Sequence, residues 1–163
     1  MTLAIAHAEG ERAVLDLVRE RRPRFNPDDV CTEFANVLRD YGLASVVGDQ
    51  YAKAWVPERF AAHGVTYTYA GVYKSEIYLN LVPAVNRGVV ELLDLPRLRT
   101  QLQGLERRVA RGGKDSIEHA AGGHDDVANA AAGALVLALQ GGGMPMTEEV
   151  FEPGPDGWQG FVY

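Results

Sequence analysis

Residues 126 to 139 read DVANAAAGALVLAL, and Asp126 and Asn129 are the only polar side chains in the stretch. A helix of this composition, running from about 125 to 140, is apolar nearly all round rather than along one stripe. Such a helix has to be enclosed by other elements instead of lying on a surface. Its many alanines permit close packing on a β-sheet, so the rest of the chain must supply that sheet. The approach to the helix is Gly122-Gly123-His124-Asp125-Asp126, which sets two adjacent carboxylates at the mouth of the most apolar element. Capping accounts for one of them: an Asp at the N-cap accepts a backbone N–H, and first-turn acids suit the helix dipole. The second needs its own reason.

The sheet is legible upstream. TLAIAH and RAVLDLVRERR flank the acidic turn Ala8-Glu9-Gly10-Glu11 and read as a hairpin of two strands. FNPDDVCTEFANVLRDYG is the clearest helix, with Asn26 as cap, Pro27 in the first helical position and Gly42 as terminator. Its buried stripe is Val30, Phe34, Val37, Leu38 and Tyr41, with Cys31 bordering it as a packing residue. LASVVGD reads as a short buried strand, VPERFAAHG as a helix from about Pro57, and VTYTYA as a strand. KSEIYLNLVPAVNRG is a helix capped near Ser75 that Pro83 kinks or shortens. VVELLD is a further strand and LPRLRTQLQGL a further helix. LERRVARGGKDSIEHA forms two arms around Gly112-Gly113, a hairpin in which Arg107 faces Glu118 and Arg111 faces Lys114. Like charges at such a tip are unfavourable unless an anion lies nearby. The Gly/Pro-rich segment 141–163 reads as a flexible tail. Strands alternating with helices after a hairpin make an α/β domain with a mixed sheet.

Composition narrows the function. A chain of 163 residues, 47% of them hydrophobic, is ordinary for one globular domain with a real core. One cysteine excludes an internal disulfide and a Cys-based zinc site. No apolar run reaches the roughly 20 residues of a membrane span, and no signal peptide is evident, so a cytoplasmic location without membrane contact is expected. A net charge of −6 argues against a histone-like nucleic-acid binder but leaves room for an acidic metal centre beside a basic patch. There is no phosphate-binding GxxxxGK[ST] loop, since ARGGKDS lacks the spacing.

Ligands collect beyond the carboxyl ends of strands in α/β sheets, and Asp49 ends the strand SVVGD there. Asp125 and Asp126 open a helix that packs on the same sheet, so three carboxylates can converge. Carboxylate oxygens suit Mg²⁺ or Mn²⁺, and two such ions about 4 Å apart support phosphodiester cleavage. Spacing alone leaves the plainer reading open, with Asp49 as a turn residue and the paired aspartates as helix-start acids.

VVGDQYA, KSEIYLNLVPAVNRGVVELLD and GLERRVARGGKDSIEHAAGGHDDVANAAAGAL, taken in order, resemble the C-terminal nuclease domain of the terminase large subunit of tailed phages. The resemblance runs to about residue 140, and the GKDSIEH…GGHDDVANA block is its most specific part. It implies a ribonuclease H-like mixed β-sheet flanked by helices over residues 1–140, cutting concatemeric double-stranded DNA during packaging. It further implies that Asp49, Asp125 and Asp126 are the catalytic, metal-binding acids for a two-metal Mg²⁺ or Mn²⁺ site. Arg107, Arg108, Arg111, Lys114 and His124 would then lie near the DNA backbone. The implied partners are DNA, the rest of a terminase, its small subunit and the portal, in the cytoplasm of a bacterial host.

One departure stands out. The family carries a first catalytic aspartate on a central strand that would precede Met1, so that strand and its acid are missing here and the metal site is incomplete. The sheet must then close a gap, borrow a strand from elsewhere or leave backbone groups unpaired. A start placed too far downstream, a prophage remnant and a separately encoded N-terminal part are the three accounts of this. Impaired cleavage is expected, and a non-catalytic DNA-binding or packaging-assembly module is the alternative function. A junction resolvase of the same broad fold is a third, lacking an identifiable dimer surface.

Other residues divide similarly. His119 and His124 are substrate contacts or ordinary loop histidines, and Lys114 and Asp115 handle phosphate and water or simply face solvent. Asn129, one turn beyond Asp125, can orient that carboxylate. Tyr51, Lys53 and Trp55 follow Asp49 and line a DNA groove, or Trp55 packs on the next helix. His7 and His63 are structural or exposed.

Overall fold

The computed structural model describes residues 1–49, 55–109, 115–120, 122–141 and 158–163. β1 (Thr2–Glu9) and β2 (Arg12–Glu20) form the expected antiparallel hairpin, with Asp16 as the extra residue of a bulge opposite Ile5/Ala6. After α1 (Pro27–Asp40) come β3 (Ser45–Gly48), α2 (Trp55–Ala62) and β4 (Thr66–Tyr69). Then follow α3 (Lys74–Asn86), the two-residue β5 (Val90–Glu91) and α4 (Pro96–Gln103). A separate antiparallel pair joins β6 (Leu105–Val109) to β7 (Asp115–His119), before α5 (Asp126–Leu139) and β8 (Gln159–Val162). The main sheet is mixed, in the order β4-β3-β8-β1-β2-β5.

β1 is apolar on both faces because both are covered. Ala4 and Ala6 face the α5 side, together with Ala13, Leu15, Val47 and Phe161. Leu3 and Ile5 face the opposite core, with Val46, Val162 and the α1 residues Val30, Phe34 and Leu38. Small side chains on the sheet thus meet small side chains on α5, which lets the enclosed helix approach closely. On α1, Asn26 accepts from the Asp28 N–H and Pro27 opens the helix, as expected. Cys31 is fully buried, and burial pushes its thiol up to about 11, which leaves it a packing residue.

The expectation of a loose segment at 141–163 fails for residues 158–163. β8 is an interior strand of the sheet, antiparallel to β1 and parallel to β3, and all four of its residues are buried. The strand between β1 and β3 thus comes from residues 159–162. Alternating Gln159-Gly160-Phe161-Val162 serves both cores, a signal that the surrounding glycines and prolines hide.

Smaller differences follow from local chemistry. α2 starts at Trp55 rather than at Pro57. Ser75 does not cap α3: its hydroxyl accepts from the Ile117 N–H at 3.1 Å and ties α3 to β7, while Glu76 reaches back to the Tyr73 N–H at 2.9 Å. Pro83 sits inside α3, which continues to Asn86. In the β6–β7 pair the register sets Arg107 opposite Ile117 and Glu106 opposite Glu118, one residue away from the expected pairing. Arg108 offsets the facing acids, 3.3 Å from Glu106 and 3.7 Å from Glu118. The connection at 110–114, with Arg111, Gly112-Gly113 and Lys114, lies outside the described residues.

The seat of β8 is testable at Gly133, where a Cβ would lie 2.4 Å from the Phe161 ring. Alanine normally favours a helix by about 1 kcal/mol over glycine. Here Gly133→Ala is expected to lower stability to urea by about 1–3 kcal/mol through overpacking. In a Phe161→Ala background the same change should become stabilising. A stabilising Gly133→Ala in the otherwise intact chain would show that β8 does not lie beneath α5.

Trp158, just before β8, packs edge-on against Tyr41 at 5.2 Å and His7 at 6.3 Å. His7 Nδ1 pairs with Asp16 at 2.8 Å and Nε2 with Glu9 at 3.2 Å. The bond to Asp16 raises the His7 pKa above its ordinary 6.5, against a smaller lowering by burial. The resulting stabilisation is complete below that ordinary value and fades as pH rises through the raised one. The urea midpoint is therefore expected to drop as pH rises above 6.5, and His7→Gln should flatten this part of the profile.

Candidate functional site

β3 runs parallel to both β4 and β8, so the carboxyl ends of these strands share one edge of the sheet. Asp49 leaves β3 at that edge, its N–H donating to the Val162 carbonyl at 3.2 Å. The Tyr67 hydroxyl donates to the Asp49 carbonyl at 3.4 Å. A Cβ on Gly48 would meet that hydroxyl at 1.8 Å, so glycine at 48 is what lets the ring cross the strand end. Burial, then the nearby Asp49 charge, pushes the Tyr67 hydroxyl far above its ordinary range and keeps it neutral. A crevice of about 240 Å³ opens here, bordered by Asp49, Trp55, Tyr67, Asp126 and Tyr163.

The two aspartates at the start of α5 have different surroundings. Asp125 is the N-cap residue, yet its side chain makes no capping bond. The free N–H groups of the buried first turn are satisfied from α4 instead: Gln101 Oε1 accepts from Val127 at 2.8 Å and from Ala128 at 2.9 Å. The capping reading of Asp125 is thereby corrected, and both carboxylates are released for other work. Asp125 is 4% exposed and forms an ion pair with Lys74, Nζ to Oδ2 at 3.1 Å. Burial, then the Asp125 charge, keeps the nearby Tyr78 hydroxyl neutral. Asp126 instead faces the crevice, with His124 Nδ1 4.0 Å from its Oδ2.

The structure therefore brings Asp49 and Asp126 to one crevice and holds Asp125 beside it, in the protein interior. No three His, Cys, Asp or Glu side chains among the described residues form a ready set of metal ligands. Two carboxylates in a water-accessible crevice nevertheless fit a hard cation such as Mg²⁺. That ion is commonly held by one or two carboxylates, with water and substrate phosphate completing its shell. Arg107 borders a different, apolar cleft of about 370 Å³ between α3, α5 and the β6–β7 pair. Arg108 is engaged with its glutamates, and His124 is largely exposed beside the crevice. Trp55 begins α2 and packs on the α1-side core while bordering the crevice. Tyr51 and Lys53 lie outside the described residues.

Sequence reasoning missed Lys74, Gln101 and Tyr163. Lys74 was hidden in an ordinary helix start and Gln101 in an exposed-looking amphipathic segment. Tyr163 was hidden in the segment read as a tail. Gln101→Ala, which leaves two buried N–H groups unpaired, is expected to cost about 1–3 kcal/mol in urea unfolding. An unchanged midpoint would place the cap elsewhere.

No family profile matches the sequence, nor does any curated protein. Solved structures do. The large terminase nuclease from thermophilic phage G20c is similar with a TM-score of 0.66 at 19% identity, over 83% of this chain and 82% of that one. The same nuclease with bound magnesium gives 0.63 at 20% identity, over 85% and 80%. The large terminase nuclease domain of Thermus phage P74-26 gives 0.61 at 20% identity, over 83% and 77%. The chain has the ribonuclease H-like fold of these domains.

Proposed function

We propose that this chain is a metal-dependent endonuclease domain of the terminase type, acting on double-stranded DNA during phage genome packaging in the bacterial cytoplasm. The observation that carries the reading is Asp49 and Asp126 bordering one crevice at the parallel-strand edge of a terminase-nuclease fold. Asp49 and Asp126, with Asp125 adjoining, would hold Mg²⁺ or Mn²⁺. A divalent ion in such a site supplies positive charge against the charge that develops on a phosphodiester under attack. The chain's own groups do the rest. The backbone of Asp49 is held by its bonds to Val162 and to the Tyr67 hydroxyl, which fixes where its side chain leaves the strand end. Gln101 holds the start of α5, and with it Asp126. His124 projects beside Asp126, where it can contact a substrate phosphate. Arg107, Arg108, Arg111 and Lys114 supply positive charge for the DNA backbone, which is read without regard to base sequence. The remaining terminase chain, a small subunit and a portal are the partners this role requires.

One observation favours slow cleavage, or a binding role without cleavage. Residue 163 stands beside Asp49 in the parallel register of β8 and β3, and it is a tyrosine. The crevice is therefore bordered by two carboxylates and, in the strand next to Asp49, by a phenol.

Thermal unfolding with Mn²⁺ tests the reading. Binding to the native state stabilises by about 2.7 kcal/mol at one hundred times the Kd. Millimolar Mn²⁺ is expected to raise the Tm of the chain, and Asp49→Asn or Asp126→Asn to abolish the rise. Tyr163→Asp should enlarge the rise and increase Mn²⁺-dependent nicking of supercoiled DNA from its low starting rate. No Mn²⁺ response in the chain or in Tyr163→Asp would leave the DNA-binding or assembly module as the function.

A further inference from the structure

Asp125 poses a separate question from the crevice. Its carboxylate is almost fully buried, takes no part in capping, and among the described residues meets one cation, the Lys74 ammonium 3.1 Å away. One turn further along α5, Asn129 is 1% exposed and its Oδ1 accepts no hydrogen bond. The Asn129 N–H donates to the Asp125 backbone carbonyl at 2.7 Å, so this unpaired amide oxygen belongs to the turn that follows the buried carboxylate. A buried carboxylate that meets one ammonium among the described residues, with an unpaired amide oxygen in the next turn, is an oxygen-rich spot that calls for a cation. Lys74 reaches Asp125 because it opens α3, just beyond the carboxyl end of β4 and so on the same sheet edge as Asp49.

We propose that Lys74 is the resident cation of this spot, taking the carboxylate that a second divalent ion would need, so that the chain binds one metal ion rather than two. This rests on the metal-site reading above. A fixed ammonium supplies one positive charge that does not depend on metal concentration, whereas a divalent ion at the same carboxylate would have to displace it or be repelled by it. Lys74 is in this sense a positioning residue: it holds Asp125 and sets how many ions the acidic centre takes. Asp49 and Asp126 remain the ligands of the single ion.

The test is the Mn²⁺ stoichiometry of the full chain, read by equilibrium dialysis and by the Mn²⁺ spin-resonance signal at saturating metal. The unmodified chain is expected to bind one ion. Lys74→Met should bind two, Lys74→Arg one, and Lys74→Met combined with Asp125→Asn one. Lys74→Gln, whose amide still donates to Asp125 and so spares the fold, should also bind two. Two ions in the unmodified chain, or one in both Lys74→Met and Lys74→Gln, would overturn the assignment while leaving the crevice site standing. No bound ion in the unmodified chain would overturn the metal-site reading and this inference together.

Discussion

Burial of α5 is the constraint on which the rest of the structure depends. A helix with alanine, leucine and valine on every side has no face to offer water, so it must be surrounded. The sheet meets it with Ala4, Ala6 and Ala13 from the hairpin, and with Val47 and Phe161 from the parallel side. The alanines let helix and strands come close, and Gly133 leaves the room that the Phe161 ring fills. Without β8 the sheet would divide between β1 and β3, and the helix would lie over a gap lined with unpaired backbone groups. The last residues of the chain are therefore as much a part of the core as the first.

That packing also decides where chemistry can occur. β3, β4 and β8 run in the same direction, so their loops gather at one edge, and α5 begins at that edge because its body lies along the sheet. Asp49 and Asp126 border one crevice there although they are far apart in sequence. The start of a buried helix ordinarily claims a nearby carboxylate for its free N–H groups. Here Gln101 from α4 takes that duty, a neutral side chain doing the work of an acid. Neither aspartate is thus consumed by capping, and Asp125 pairs with Lys74 instead.

Much of this was legible because periodicity and caps are local signals. The first hairpin, α1 with its Asn26-Pro27 start, and the enclosed α5 could be read from their own residues. Asp49 could be placed at a strand end by the same means. What stayed hidden depends on pairing between distant segments. Nothing near Gln159–Val162 says that it pairs with β1 and β3, and its flanking glycines and prolines suggest the opposite. The β6–β7 register turns on one residue in a loop, and periodicity cannot count that residue. Lys74 and Gln101 gain their roles only once α3 and α4 are laid against α5.

The paired aspartates show why two adjacent acids need not share a task. Successive residues at a helix start project about 100° apart. If one points out of the sheet edge into water, its neighbour is driven toward the packed interior. Asp126 takes the outward direction, with 44% of its side chain exposed, and Asp125 takes the inward one, with 5%. A carboxylate so enclosed costs several kcal/mol unless a cation and hydrogen-bond donors accompany it. The helix geometry therefore creates a demand for positive charge at Asp125 that is independent of any substrate, and Lys74 meets it from the neighbouring strand's end. Asp126, lying toward water, carries no such structural demand.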